Sequence, residues 1–500
     1  MARGTWRPVV VVGVGGHHAG GRTEHAGATA GQPLGDQPPL VRGVGRTDLS
    51  DPHAGHPGVA GCHRSGCAPA TAPADGYDGP RQLHPEDRIP DRYSRPVTAG
   101  PASITRPALS RWQTRAPLIL AVSAILRVAS TMGYYVVKGD AFFDLRVYVL
   151  GGSALTHPGS LYDFFYVDPT KGEHLPFTYP PFAAIVFAPL HFAPFGVVAF
   201  AWQVALIAAV YATVRLCQRF IGGGSARVAM LWTAGAIWME APGSSIQSGQ
   251  IGIFLMLAVL YAAYDSRWWL SGLLIGVGAG IKLTPAITGF YFVGVRRWGT
   301  ALFSAVVFFG TVGLAYLLLP DETRRYFPHQ MAEAGKTLPV GSAWNQSWQG
   351  GLSRIAGHDV GMSPLVVGAI VGTAVLAVLA FRALGGEHDR LGSLLVVQLF
   401  GLLAEPVSWT HHWVWVLPLI IWLLYGSWRE RPGARFLGWG WTVLMVLSVP
   451  SLLSFAQPNI WQISRPWYLA WGELVYIVAA VATMAWITWT GRRGEVTHRA

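Results

Sequence analysis

Apolar residues in this chain do not recur along one face of helices or alternate as in strands. They run in unbroken blocks near membrane-spanning length. The blocks lie at roughly 115–137, 196–218, 226–241, 250–264, 268–281, 283–295, 299–319, 363–381, 391–404, 411–427, 436–454 and 468–489. This pattern predicts an all-α polytopic membrane protein with about twelve transmembrane helices. Several blocks are shorter than the ~20 residues that cross a bilayer squarely. Short or broken helices are tolerated where they line a protein cavity. The apolar segment 181–194 is too short and Pro-flanked, and reads as interfacial or re-entrant.

Upstream of the blocks, residues 1–107 are rich in Gly, Pro, Ala, Arg and His and have almost no apolar periodicity. Such a stretch cannot bury enough surface to offset ordering entropy. It reads as a disordered tail or a mis-assigned start, with residues 108–500 as the transmembrane domain. Its opening, WRPVVVVGVGGHHAGG, imitates a strand and glycine loop, but His18 stands where a dinucleotide fingerprint needs its third glycine.

Composition agrees with the pattern. Only 13% of residues are charged, against about a quarter in soluble proteins. The 22 Trp suit the headgroup level of a bilayer. The net charge of +11 does not point to nucleic acid, because much of it sits in the tail and in short loops. Arginines at 111 and 115, 219 and 227, 267, 296 and 297, 382 and 390, 429 to 435, and 492 and 493 fall at every second turn between blocks. By the positive-inside rule that side is cytoplasmic, with both termini, in the cell (plasma) membrane. The other, extracytoplasmic, side then receives GDAFFDLRVY, PFTYPP, PGSSIQSGQ, KLTP, the loop 320–362, EPVSWTHHW and SFAQPNIWQISRPWY. Charge alone thus collects the unusual motifs on one face. Cys217 lies in an apolar block and reads as inert packing, while Cys62 and Cys67 around His63 are too few ligands for structural zinc.

Asp144 in GDAFFDLRVY sits at a membrane border among aromatic residues, where a carboxylate is costly unless wet or paired. Burial would raise its pKa toward that of a useful base. It reads either as a general base or as a helix cap, with Asp140 as the competing carboxylate. His411 and His412 follow Glu405 and Trp409 at the mouth of a block, fit to hold a phosphate or to belong to an aromatic belt. Lys282, between two short apolar segments, needs an anion or a route to water. Arg127, deep in the first block, calls for a partner inside the bundle. Asn345, Gln346, Trp348 and Arg354 in WNQSWQGGLSR combine amides, indole and cation, a set suited to carbohydrate but also ordinary in a loop. Tyr179 in PFTYPPFA and Gln250 in PGSSIQSGQ join them as candidate donor or acceptor contacts. No nucleotide-sugar loop or D-x-D metal pair appears after residue 107. No cofactor or metal is expected.

At FFDLRVY, FTYPPFA, IKLTPA, NQSWQGGLSR, SWTHHWVW and SFAQPNIWQISRPWYLAW the chain resembles the polyprenyl-phosphate-mannose-dependent α-(1→2)-mannosyltransferases of glycosyltransferase family 87. The resemblance spans roughly residues 110–490. It implies a GT-C membrane fold with extracytoplasmic active-site loops, and transfer of mannose from polyprenyl-phosphate-mannose to a phosphatidylinositol mannoside among membrane lipids. By resemblance the step is tetramannoside to pentamannoside. The family's catalytic Asp matches Asp144, and its functional His matches the His411–His412 pair. A phosphate leaves without a strong general acid, so one carboxylate base suffices, whereas glycosidases usually need two. The rivals are a family member acting on lipomannan or arabinan and, more distantly, a transporter, for which no internal repeat is seen.

Overall fold

A computed structural model describes residues 110–139, 141–167, 174–330 and 338–497, all within the unit Pro107–Ala500. The Cys62–Cys67 pair, the glycine-rich opening and Asp140 lie outside the described residues.

The helix α1 (Arg111–Lys138) starts at a capping box, in which Ser110 and Gln113 each bond the other's backbone N–H. It ends at Gly139, whose φ of 71° only glycine adopts without strain. α2 (Phe143–Ser153) is followed by β1 (Phe165–Val167) and β2 (His174–Pro176), an antiparallel hairpin with Phe165 opposite Pro176. Next come α3 (Pro181–Phe187), α4 (Phe195–Phe220), α5 (Ala226–Ala236), α6 (Glu240–Ser248), α7 (Gly252–Tyr264), α8 (Trp268–Ile281), α9 (Thr288–Gly294) and α10 (Trp298–Leu318). α11 (Pro320–Arg325) opens the long loop that contains α12 (Trp348–Ala356). α13 (Pro364–Leu384), α14 (Arg390–Ala404), α15 (Val416–Tyr425), α16 (Ala434–Leu447), α17 (Val449–Ser454), α18 (Trp467–Gly472) and α19 (Val475–Thr497) complete the chain.

The protein is therefore predominantly helical, and the all-α expectation needs one correction, the small hairpin. The even row of twelve spans also needs revision. Among the described residues, α1, α4, α10 and α13 are long and apolar enough to cross a membrane. Of the others, α19 has 23 residues but follows a break at Glu473 inside the block 468–489, the rest are shorter or interrupted, and four further expected spans are split. The block 226–241 ends as a helix at Ala236 and restarts with Pro242 in the first turn of α6. The blocks 283–295 and 411–427 begin as 3-10 turns, Thr284–Ile287 and Thr410–Trp415. The block 436–454 breaks at Ser448, with φ 50°, before Pro450. Proline lacks the N–H that a helix interior needs but fits a first turn, so each restart places it there. The segment 181–194 forms the short α3 and a 3-10 turn.

Two cores hold the bundle. The larger is built from α4, α7, α14, α15 and α19 around Trp413, Trp422 and Tyr476, all fully buried. The smaller packs α2 and α3 through Phe142, Tyr148 and Phe187. α8 meets α10 along Gly272, Gly276 and Gly280. A Cβ at Gly276 would stand 2.6 Å from the Ser304 carbonyl oxygen, so only a small-residue stripe permits this approach. Arg127 finds its partner inside the bundle. It donates to the Gly243 carbonyl and lies 5.4 Å from the Trp238 ring.

Candidate active site

The turn before α2 decides where Asp144 points. Phe142 is fully buried, takes the left-handed conformation (φ 60°) and donates its N–H to the Gln247 carbonyl at 2.9 Å. A bulky residue adopts that conformation only when its surroundings hold it there. The effect is to anchor the start of α2 on α6 and aim the first-turn Asp144 into a cavity of about 640 Å³.

Asp144 Oδ2 is cut off from solvent and has no hydrogen-bond partner among the described residues. Burial pushes its pKa up to about 6, with the Lys282 ammonium and the Ser248 hydroxyl acting in the other direction. Ser248 stands near enough to act electrostatically, yet neither its Oγ nor Asp144 Oδ2 completes a hydrogen bond.

One turn further along α2, the Tyr148 hydroxyl donates to Gln250 Oε1 and lies 3.1 Å from the Tyr179 hydroxyl. Gln250 Oε1 also accepts the Ile251 N–H at 3.0 Å, which orients the amide so that Nε2 faces His411 Nε2 at 3.3 Å. His411 Nε2 is thus the acceptor of that contact.

Lys282 caps the C-terminus of α8. Its Nζ is 3.0 Å from His412 Nε2, and His412 Nδ1 is 3.1 Å from Glu405 Oε1. A neutral imidazole serves both neighbours, accepting from the ammonium and donating to the carboxylate. Burial raises the Glu405 pKa to about 7 against the opposing pull of Lys282. The Lys282 ammonium also lies 5.6 Å from the Tyr179 ring centre. Lys282 is therefore the shared cation of two carboxylates, Asp144 and Glu405. These three side chains, Lys282, His412 and Glu405, also line a second, largely apolar cavity of about 390 Å³ between α7, α14 and the Thr284–Ile287 turn.

Every motif sorted by charge onto one face contributes to the larger cavity: Asp144, Tyr179, Gln250, Lys282, Trp344, Trp409 with its His pair, and Trp461. Four sequence candidates do not. Asn345 and Gln346 are fully buried. Asn345 bonds the Val340 carbonyl at 2.9 Å and receives the Ser408 N–H at 2.9 Å. Gln346 bonds the Ala343 and Glu473 carbonyls at 2.7 and 2.8 Å. Arg354 is 1% exposed and donates to the Ser342 and Asn345 carbonyls, with Glu473 Oε2 at 3.2 Å. Trp348 turns to Thr373, 2.8 Å from its indole N–H. Of the two readings open for these four, the structure places them in the loop's packing and outside the lining of this cavity. Asn345, Gln346 and Arg354 satisfy backbone groups that a buried loop would otherwise leave unpaired, and the loop they hold presents Trp344.

Sequence reasoning missed Trp344 and Trp461 as individual lining residues, and it missed Glu240 altogether. Glu240 is a buried carboxylate that accepts from the Ser451 backbone N–H at 3.1 Å, from the Ser451 hydroxyl at 2.6 Å and from Tyr476. Ser451 in turn accepts the Trp344 indole N–H at 3.2 Å. A lone Glu inside an apolar block was the available signal. Among the described residues, no group of three or more His, Cys, Asp or Glu side chains is placed to hold a metal ion.

Comparison with known proteins gives consistent matches. The glycosyltransferase family 87 profile matches residues 177–406. The chain is 57% identical over 390 residues to the polyprenol-phosphate-mannose-dependent alpha-(1-2)-phosphatidylinositol pentamannoside mannosyltransferase of Mycolicibacterium smegmatis, covering 78% of this chain and 94% of that protein. It is 56% identical over 409 residues to the Mycobacterium tuberculosis protein of the same description, covering 81% and 92%. A phosphatidylinositol mannoside mannosyltransferase of M. smegmatis is 31% identical over 314 residues, covering 58% and 71%. No solved structure matches.

Proposed function

This chain belongs to glycosyltransferase family 87, and on that premise we propose that it moves mannose from polyprenol-phosphate-mannose to a phosphatidylinositol mannoside, forming an α-(1→2) bond with inversion. The observation that carries the reading is one cavity holding Asp144, whose Oδ2 has no hydrogen-bond partner among the described residues and whose pKa is raised, opposite a Lys282–His412–Glu405 chain.

Asp144 takes the proton of the acceptor's 2-hydroxyl as that oxygen attacks the anomeric carbon. The bond from that carbon to the phosphate oxygen breaks, and the polyprenyl phosphate leaves as an anion. Lys282 and the neutral His412 stabilise the charge that develops there. The indoles of Trp344, Trp409 and Trp461 offer faces on which sugar rings stack. Because Lys282, His412 and Glu405 line both cavities, a phosphate at this point has the indole- and hydroxyl-bearing cavity for its sugar on one side and the smaller cavity, with Leu255, Met256 and Val259, for its first isoprene units on the other. The arginine pattern supports an extracytoplasmic site, with Arg219, Arg267 and Arg297 at the helix ends away from Lys282, and family membership supports a GT-C fold.

Purified full-length protein in detergent, given polyprenyl-phosphate-[³H]mannose and a panel of mannosides, tests this. The expected product is a phosphatidylinositol mannoside extended by one mannose that an α-(1→2)-mannosidase removes. Transfer confined to lipomannan or arabinan acceptors would move the assignment to another acceptor class. No transfer to any of them would leave the transporter reading standing.

A further inference from the structure

A second site lies at the far end of the bundle. α7 leaves the catalytic cavity at Gly252, just after Gln250, and α8 returns to it at Ile281, beside Lys282. The opposite ends of these helices meet the C-terminus of α4, where the Phe220 and Tyr264 rings are 5.3 Å apart. There α4, α7 and α8 enclose a slot of about 670 Å³. Its apolar lining includes Phe254 and Leu257 of α7, Leu216 of α4, and Leu270 and Leu274 of α8. From Phe254 to Tyr261 the floor rises ~10 Å along α7.

The rim of this slot is cationic. Arg215 and Arg219 line it one helical turn apart. One nitrogen of Arg215 is committed to Gln218 Oε1 at 2.6 Å and to the Gly224 carbonyl at 2.9 Å, which holds the guanidinium over the opening. The Arg219 side chain is exposed and makes no hydrogen bond or ion pair among the described residues. Asp265, the nearest carboxylate on the α7–α8 turn, is already taken by Arg267 at 2.8 Å. The net charge at the rim therefore stays positive. Trp268 and Trp269, 53% and 46% exposed, stand at the same level, as indoles do at a membrane interface.

We infer that this slot binds one anionic phospholipid, its phosphate on Arg215 and Arg219 and an acyl chain laid along α7. An apolar cleft between helices with paired arginines at its mouth has the chemistry for a lipid headgroup joined to a hydrocarbon chain, and basic pockets of this kind on the cytoplasmic side hold acidic lipids. A zwitterionic lipid fills the cleft equally well but gains less at the rim.

Native mass spectrometry on the delipidated full-length protein tests this, with phosphatidylglycerol and phosphatidylcholine titrated separately and inorganic phosphate added in a third arm. The expected result is one phosphatidylglycerol bound in clear preference to phosphatidylcholine. Arg215→Gln with Arg219→Gln is expected to weaken phosphatidylglycerol about thirtyfold, from two cation–headgroup contacts, and to leave phosphatidylcholine unchanged. Arg219→Gln alone, at an exposed side chain that cannot disturb folding, should lose part of that preference. Leu257→Trp, which fills the slot, should weaken both lipids. Mannosyl transfer by the arginine variants, measured alongside, reports that they are folded. Equal affinity for the two lipids, full retention of phosphatidylglycerol by the variants, or its displacement by millimolar phosphate would each overturn the inference.

Discussion

One lysine serves two carboxylates at the heart of the site, and this sets its pH behaviour. In the proposed mechanism Asp144 can act as a base only when ionised, and burial raises its pKa to about 6. Turnover is therefore expected to be full above that value and to fall as pH drops through it, as the carboxyl takes up a proton. Lys282 holds the Asp144 pKa down, so Lys282→Met should move the acid limb to higher pH as well as slow transfer. A pH–rate series on the two proteins checks this; an unmoved limb would mean that the two groups do not interact. Asp144, Lys282 and Glu405 were legible in the sequence because a charge in apolar surroundings has few innocent explanations. For Asn345, Gln346 and Arg354 the sequence left two readings open, because a side chain that satisfies a backbone carbonyl looks, in one dimension, like one that binds a hydroxyl. Which carbonyls need partners is a property of the folded loop.

At the scale of elements, the apolar blocks were legible and their breaks were not. Mean apolarity does not register Pro242, Pro285, Pro418 or Pro450, although each stands in the first turns of a restarted helix or 3-10 turn. These breaks shape the site. The Glu240–Ser248 piece carries Ser244 and Ser248, the turn beginning at Thr410 carries both histidines, and α17 carries Ser451. The loop before α12 is held by Arg354 against Glu473, which is also bonded by Arg465. Removing Arg354 leaves Glu473 paired with Arg465 but takes the donor from the buried Ser342, Asn345 and Glu473 carbonyls. Arg354→Met is expected to destabilise the protein by at least about 1–3 kcal/mol, visible as a lower melting temperature, while the folded fraction keeps a near-normal KM for donor. A large KM change with unaltered melting would instead make Arg354 a ligand contact.

For the molecule as a whole, charge asymmetry was the most informative feature of the sequence, since it grouped seven separate motifs that all reach one cavity. It also sets the expected sidedness. In a protein without its own cysteines, a cysteine at the exposed His358 should react with an impermeant reagent in intact cells, and one at the exposed Glu387 only after permeabilisation. The reverse pattern would invert the membrane orientation. Deletion of residues 1–105, whose composition offers no core-forming pattern, should leave transfer nearly intact in the purified protein.

The central claim is that Asp144 carries the proton in mannosyl transfer, and Asp144→Asn isolates it, because the amide keeps the size and removes the acceptor of the proton. Mannose transfer by the purified variant, with binding of polyprenyl-phosphate-mannose measured separately, is expected to fall by about 10²–10⁴-fold at unchanged donor affinity. Asp140→Asn should lose far less. Near-normal transfer by Asp144→Asn, or a deeper loss from Asp140→Asn, would contradict the claim.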